Sequence, residues 1–311
     1  MKIMFMGTPD FAKVSLEKLI NSENEVVCVI TMPDKPRGRG HKMVHTPVYE
    51  CAQNYGIDTY TPENLKKENF ENILNTYSPE IIVVVAYGKI LPEYVLTYPK
   101  YGCVNVHASL LPKYRGAAPI QRSIIDGMKT TGVTTMYMEK GLDTGDMLLS
   151  DEIEIKDDDN YETIHDKLSI IGAQLICETI DGLNKGTVTR IKQDDSLSTY
   201  AHMITKETCL VNWNNDALSI HNLIRGLYPF PKAFTYYGNS LLKIGFTKVS
   251  HRKSDEASGK IIFICDDYFS VSCGNNTVID VYKIQFEGKK MMDVCDYLKG
   301  NKLELGIILG G

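Results

Sequence analysis

Short apolar runs and longer amphipathic stretches alternate along the first half of the chain. The apolar runs predict buried strands of a sheet, at residues 2–6, 26–30, 81–85, 104–107, 134–138 and 147–155. The amphipathic stretches predict helices, at residues 10–21, 47–54, 63–77 and 160–183. Asp10 is placed to cap the first helix. This alternation predicts an α/β fold with a Rossmann-like, mostly parallel sheet and helices on both sides.

The pattern changes near residue 190. Residues 191–206 are polar and aperiodic, which predicts a linker. Beyond the linker, turn residues separate short apolar segments, at 233–237, 241–246, 259–265, 269–273 and 278–286. Several short strands in about 100 residues predict a small, OB-like β-barrel. The sequence therefore predicts two domains, 1–190 and 207–311.

Composition excludes several classes of protein. Hydrophobic residues make up 43% and charged residues 23% of the 311 residues, which argues against disorder. The longest apolar run is far shorter than the ~20 residues of a membrane span, and the first residues lack the apolar core of a signal peptide. The eight cysteines form no C-x-x-C pair. They favour reduced, buried thiols in a cytoplasmic protein over a zinc site or disulfides.

Charge is distributed unevenly. The net charge is −5, of which residues 206–311 contribute +2 and residues 1–205 contribute −7. The segment 34–42 differs from its surroundings, because it carries four Lys or Arg side chains against one Asp. Such a segment is either a solvated surface loop or a binding surface for a polyanion.

The predicted parallel sheet suggests a nucleotide cofactor, but the required glycine motifs are absent. The first strand is followed by Gly7-Thr-Pro-Asp10, with no G-x-G-x-x-G, and the chain has no G-x-x-x-x-G-K-[ST]. A dehydrogenase or a P-loop enzyme is therefore poorly supported. Other ligands also bind such sheets at the carboxyl ends of strands, so candidate chemistry is sought there.

The strand at 104–107 ends with two polar side chains, Asn105 and His107. Residues two apart on a strand face the same way, so an amide and an imidazole project together. This pair can polarise a carbonyl and move a proton, but it can equally be a satisfied structural pair near a strand end. Asp143 lies in the glycine-bounded segment 141–146 and could add a carboxylate, although Asp is common in such turns.

Together these residues resemble the motif of the folate-dependent formyltransferase superfamily. The motif comprises Asn105-x-His107, then Ser109-Leu-Leu-Pro112, and Asp143 in Gly-Leu-Asp-Thr-Gly. The similarity extends over the whole chain, in segments 6–11, 36–40, 86–92, 109–121, 222–234 and 287–290.

The resemblance implies a function and a set of catalytic residues. It implies transfer of the formyl group of 10-formyltetrahydrofolate to the α-amino group of methionyl initiator tRNA, without a metal ion. Asn105 and His107 would stabilise the oxyanion and move protons, and Asp143 would orient the imidazole and stabilise its protonated form. Ser109, Leu110, Leu111 and Pro112 would line the folate site.

The resemblance also assigns the basic segment and the partners. Arg37, Arg39 and Lys42 would contact the tRNA, and the C-terminal domain would hold it. Tetrahydrofolate would be the released product, and nothing in the sequence indicates an obligate protein partner.

Two alternatives share the same catalytic core or scaffold. One is an N-formyltransferase that acts on a nucleotide-linked amino sugar. The other is a catalytically silent RNA-binding protein. The intact Asn105, His107 and Asp143 argue against silence, and the basic segment and the C-terminal domain argue against the sugar substrate.

Overall fold

The computed structural model describes residues 1–37 and 42–310. They form two compact units. We call the first the α/β unit; it comprises the described parts of Met1–Gly116 together with Thr130–Ile153 and His165–Tyr200. We call the second the β unit; it comprises Ala117–Lys129, Glu154–Ile164 and the described chain from Ala201 onward.

The described strands, in chain order, are β1 (Lys2–Gly7), β2 (Glu25–Ile30), β3 (Lys35–Arg37), β4 (Lys42–Val44), β5 (Thr59–Tyr60), β6 (Ile81–Val85), β7 (Cys103–His107), β8 (Arg115–Gly116), β9 (Thr130–Tyr137), β10 (Met147–Glu154), β11 (Tyr200–Ala201), β12 (Ala233–Tyr237), β13 (Ser240–Val249), β14 (Ile261–Ile264), β15 (Phe269–Ser272), β16 (Val278–Phe286) and β17 (Met292–Asp293). The described α-helices are α1 (Asp10–Ile20), α2 (Pro47–Asn54), α3 (Lys67–Tyr77), α4 (Glu93–Leu96), α5 (Pro119–Ile125), α6 (Tyr161–Lys185), α7 (Ala217–Leu227) and α8 (Val294–Leu298). None of these helices has the length and apolarity needed to cross a membrane.

The α/β unit is organised around a seven-stranded sheet with the order β10-β9-β7-β6-β1-β2-β5. In this sheet, β7, β6, β1, β2 and β5 are parallel to one another, whereas β9 is antiparallel to β7. No residue of β6 is more than 4% exposed, so both faces of this strand are covered. Continuous Ile and Val are what such a strand requires. The sheet brings the carboxyl end of β7, and with it His107, to the edge where ligands bind such folds.

The β unit contains an antiparallel sheet with the order β12-β13-β16-β15-β14, and β17 pairs with β16. Helix α7 packs on β13. Trp213 is buried in the core of this unit, and its indole N–H donates a hydrogen bond to the Thr235 hydroxyl at 3.0 Å. The predicted fold class, a mostly parallel α/β sheet with a smaller C-terminal β domain, is confirmed in both parts.

Two details at helix starts differ from the sequence prediction. Asp10 is the first residue of α1 and does not cap it; Pro9 holds the cap position in extended backbone, with no side-chain hydrogen bond. Helix α3 begins at Lys67 instead of residue 63. The carbonyls of Pro62 and Glu63 accept hydrogen bonds from Lys89 Nζ, at 2.7 and 2.6 Å, so they are engaged outside a helix.

All eight cysteines are free thiols, and five of them are buried. Burial raises the pKa of the Cys28 and Cys103 thiols to about 12. These thiols are therefore protonated at neutral pH and poor nucleophiles, which suits a packing role.

His221 on α7 makes the stability of the β unit depend on pH. Burial, together with the nearby Arg225 guanidinium, lowers the pKa of His221 from its usual 6.5. Below pH 6.5 the unfolded chain binds a proton that the folded chain excludes, so stability falls as the pH falls. The expected slope from this group is at most about 1.4 kcal/mol per pH unit. Urea unfolding at pH 7.5 and at pH 5 measures how much free energy of unfolding is lost between the two pH values. This loss should be smaller for His221→Gln than for the wild type, and an equal loss would contradict the role assigned to His221.

Candidate active site

Strand β7 presents Asn105 and His107 on the same face, two residues apart. Asn105 pairs with Val84 on one side and Met136 on the other, so its backbone is fixed in the middle of the sheet. Its side chain is half-buried and has no hydrogen-bond partner among the described residues. The amide is therefore free to donate to a ligand at the strand end.

His107 is 6% exposed, and its imidazole lies between two acceptor oxygens. Its Nε2 lies 2.9 Å from the carbonyl oxygen of Tyr114, and its Nδ1 lies 3.7 Å from Oδ2 of Asp143. Asp143 is thus close to His107 although 36 residues separate them in the sequence. The structure brings together all three residues that the sequence predicts to be catalytic.

Asp143 lies in a tightly constrained turn. Its φ is +52°, in the left-handed region that a side chain disfavours. Oδ2 of Asp143 accepts a hydrogen bond from the backbone N–H of Gly116 at 2.8 Å. At Gly145 a Cβ would lie 1.9 Å from the carbonyl oxygen of Tyr137, so only glycine fits there. The glycines that bound this segment are therefore a steric requirement, at least at position 145.

The loop after β7 is held by side chains that point inward. Ser109 is fully buried, and its hydroxyl donates to the carbonyl of Lys113 at 2.6 Å. Thr134 on β9 donates to the Ser109 carbonyl at 2.8 Å and accepts from the Leu111 N–H at 3.2 Å. Of the residues predicted to line a folate site, Leu110 and Pro112 keep partly exposed surfaces, whereas Ser109 and Leu111 are buried.

Two contributors to this site, Thr134 and Gln193, have no counterpart in the sequence prediction. Gln193 donates a hydrogen bond to the Asp143 carbonyl at 2.8 Å, across 50 residues of sequence. It lies in the segment predicted as a linker. A buried polar residue in an aperiodic stretch leaves no periodic pattern, and no spacing rule relates it to a distant turn.

The basic segment is described at its two ends. Arg37, at the end of β3, is opposite Lys42, at the start of β4, in an antiparallel pair. Arg39 lies outside the described residues. After β4, His45 contacts the Asp34 carboxylate, with an Nδ1–Oδ1 distance of 2.9 Å.

The described residues contain no group of three or more His, Cys, Asp or Glu side chains arranged to hold a metal ion. The fold and the site define an α/β enzyme with an amide, an imidazole and a carboxylate at the edge of its sheet. This set can stabilise an oxyanion and transfer protons.

The chain belongs to the formyl transferase family. The family profile described as formyl transferase matches residues 1–180, and the profile of the formyl transferase C-terminal domain matches residues 203–302.

Two relatives with an assigned activity are similar over their entire length. The methionyl-tRNA formyltransferase of Alkaliphilus oremlandii (strain OhILAs) is 49% identical over 310 residues, which cover 100% of both chains. The methionyl-tRNA formyltransferase of Caldanaerobacter subterraneus subsp. tengcongensis is 48% identical, covering 99% of this chain and 100% of the relative.

The fold also resembles a more distant solved structure. WlaRD, a sugar 3N-formyl transferase crystallised in the presence of dTDP and 5-N-formyl-THF, is 19% identical and has a TM-score of 0.67. The similarity covers 93% of this chain and 99% of WlaRD. At this identity it demonstrates a shared fold only.

Proposed function

We propose that this protein transfers the formyl group of 10-formyltetrahydrofolate to the α-amino group of methionyl initiator tRNA, giving N-formylmethionyl-tRNA for translation initiation. The observation that carries the proposal is the grouping of Asn105, His107 and Asp143 at the carboxyl end of β7. Full-length relatives at 44–49% identity that are named methionyl-tRNA formyltransferase support the choice of acceptor.

The reaction begins with attack of the methionyl amine on the formyl carbon. A C–N bond forms, and the formyl oxygen becomes negative in the tetrahedral intermediate. Asn105 donates a hydrogen bond to this oxygen through its free amide. The sheet fixes the backbone of Asn105, so this donor stays at the strand end where the charge develops.

The intermediate then collapses as the bond between the formyl carbon and N10 of the folate breaks. The attacking nitrogen loses a proton and N10 gains one, which leaves tetrahydrofolate as product. His107 mediates this transfer, directly or through a water. Its Nε2 faces the Tyr114 carbonyl in the structure, so it must leave that oxygen to reach the reacting atoms. Catalytic hydrogen bonds often rearrange in this way on substrate binding.

Asp143 faces the other nitrogen of the imidazole and balances the positive charge that His107 carries after taking a proton. The folate lies along the loop Ser109, Leu110, Leu111 and Pro112, against the exposed surfaces of Leu110 and Pro112. Two hydrogen bonds hold this loop in place: the Ser109 hydroxyl donates to the Lys113 carbonyl, and the Leu111 N–H donates to the Thr134 hydroxyl.

The tRNA is held by basic residues away from the chemistry. Arg37, Arg39 and Lys42 of the basic segment contact phosphates near the acceptor end, and the C-terminal domain, residues 207–311, holds the body of the tRNA. The free thiols support a reducing, cytoplasmic location.

Arg39→Ala is expected to raise KM for tRNA and to flatten its salt dependence. The slope of log K against log salt should fall by roughly 0.7–0.9 for each phosphate that the variant no longer neutralises. Folate affinity should not change, because the basic segment is assigned to tRNA alone. Steady-state kinetics over a salt series would test this, with Lys100→Ala on another surface as the control. Equal slopes and equal KM values for the wild type and Arg39→Ala would contradict tRNA binding by this residue and would indicate a solvated surface loop.

The proposed function is tested by offering purified protein three acceptors in parallel with 10-formyltetrahydrofolate. The acceptors are charged initiator tRNA, charged elongator methionine tRNA and a dTDP-linked amino sugar. Formylation of the initiator tRNA is expected. Formylation of the sugar alone would overturn the proposal, and binding of tRNA with no formylation of any acceptor would indicate a silent RNA-binding protein.

A further inference from the structure

Gln193 is 5% exposed, and its side-chain amide is fully hydrogen-bonded. Its Nε2 donates to the carbonyl of Asp143 at 2.8 Å and to the carbonyl of Gly145 at 2.7 Å. Its Oε1 accepts from Nε and Nη2 of Arg115, at 3.0 and 2.8 Å. An amide has two donor hydrogens and an acceptor oxygen with two lone pairs, so these four bonds use its whole capacity.

Arg115 determines which way this amide points. Its guanidinium carries donors only, so the oxygen of Gln193 must face it. The NH₂ group is then directed to the two carbonyls of the Asp143 turn. Arg115 is 2% exposed and also donates to Asp195 at 2.8 Å, which neutralises its charge at the surface.

Strand β8, which contains Arg115, also binds the Asp143 carboxylate. Gly116, next to Arg115, donates its backbone N–H to Oδ2 of Asp143. The carboxylate is thus held by strand β8 directly, and the main chain of Asp143 is held by β8 through Gln193. Because the φ of Asp143 is +52°, the turn adopts a disfavoured conformation and depends on such external bonds.

We propose that Gln193, oriented by Arg115, is a positioning residue for catalysis: it fixes the Asp143 turn so that the carboxylate faces His107. The inference rests on the proposed function, since Asp143 is the carboxylate of that site. It matters because the distance from Asp143 Oδ2 to His107 Nδ1 is 3.7 Å, so a small displacement of the turn removes the interaction.

Gln193→Glu separates positioning from simple packing. The glutamate has nearly the same volume and keeps, even strengthens, the interaction with Arg115, but its carboxylate cannot donate to the Asp143 and Gly145 carbonyls. We expect kcat to fall by roughly 10²-fold, as for a misplaced catalytic group, with KM for folate and tRNA changed by less than about threefold. If Gln193 only satisfies donors of the buried Arg115, this variant should retain full activity.

The readouts distinguish a moved site from a damaged fold. The ¹⁵N signals of the His107 imidazole should shift in Gln193→Glu while the far-UV circular dichroism spectrum stays that of the wild type. The melting temperature should fall, because the two carbonyls of the Asp143 turn lose their donor. Gln53→Glu makes the same chemical change at an exposed glutamine on α2 and should leave both kcat and the imidazole signals unchanged.

Arg115→Lys provides a second route if Gln193→Glu does not fold. Lysine keeps the positive charge near Asp195 but lacks the two-nitrogen fork that orients Gln193, so kcat should fall by about tenfold with little change in KM. Wild-type kcat in a folded Gln193→Glu or Arg115→Lys protein would overturn the inference. If Asp143→Asn is inactive while these variants are active, only the positioning role fails; if Asp143→Asn is fully active, the proposed mechanism itself fails.

Discussion

His107→Ala is expected to lower kcat by roughly 10²–10⁴, because the enzyme loses its proton-transfer group. The imidazole is nearly buried between Asp143 and the Tyr114 carbonyl, so the substitution also leaves that carbonyl without this partner. KM for tRNA should change little. Single-turnover formylation of charged initiator tRNA measures the chemical step separately from product release.

Asn105→Ala is the companion experiment on the same strand. Its side chain has no described protein partner, so its removal should leave the melting temperature unchanged while kcat falls by a comparable roughly 10²–10⁴ from the missing oxyanion donor. Asn69→Ala, at an exposed position on α3, serves as the matched control and should be fully active. Near-normal turnover of His107→Ala would remove the mechanism, and near-normal turnover of Asn105→Ala would remove its oxyanion donor.

The sequence predicts the sheet well because burial leaves a clear pattern. The apolar run at 81–85 coincides with β6, and the bounds predicted for 233–237 and 278–286 coincide with β12 and β16. The predicted starts of α1 and α2 also coincide with the structure, whereas the predicted start of α3 is wrong because it depends on an interaction from outside the helix. The start of α3 is displaced where Lys89 binds the carbonyls of Pro62 and Glu63, and nothing local to residues 63–66 indicates this.

The residues of the proposed site also differ in how far the sequence predicts their positions. Asn105 and His107 are related by the two-residue repeat of a strand, so the sequence alone places them together. Asp143 reaches them only because β7 and β9 are neighbours in the sheet and the turn after β9 returns to the end of β7. That proximity is expected from the resemblance to a family and not from spacing. Gln193 and Thr134 could not be predicted, because their roles consist of hydrogen bonds to main-chain atoms that are distant in the sequence.

The site therefore has two layers with different origins in the chain. Two of the proposed reacting groups, Asn105 and His107, come from the end of a parallel strand, where the α/β fold generally binds ligands. In our proposal, their geometry is set by the buried Arg115 and Gln193, which bind the Asp143 turn. Substitutions of Asn105 or His107 should lower kcat directly, whereas substitutions of Arg115 or Gln193 should lower kcat through the position of Asp143.

Asp143→Asn changes the residue that both faces His107 and is held by Gln193. The amide oxygen of asparagine can still accept the Gly116 N–H, and the Gln193 bond to the main chain of residue 143 is untouched, so the turn should keep its shape. Only the negative charge opposite His107 is removed. We expect kcat to fall by roughly 10²–10⁴, comparable to the loss in His107→Ala, because the imidazole no longer has a charged partner when it takes a proton. Asp151→Asn, the same change at an exposed position of β10, should behave as the wild type. If Asp143→Asn kept its kcat within about threefold, the charge would have no catalytic role and the proposed mechanism would fail.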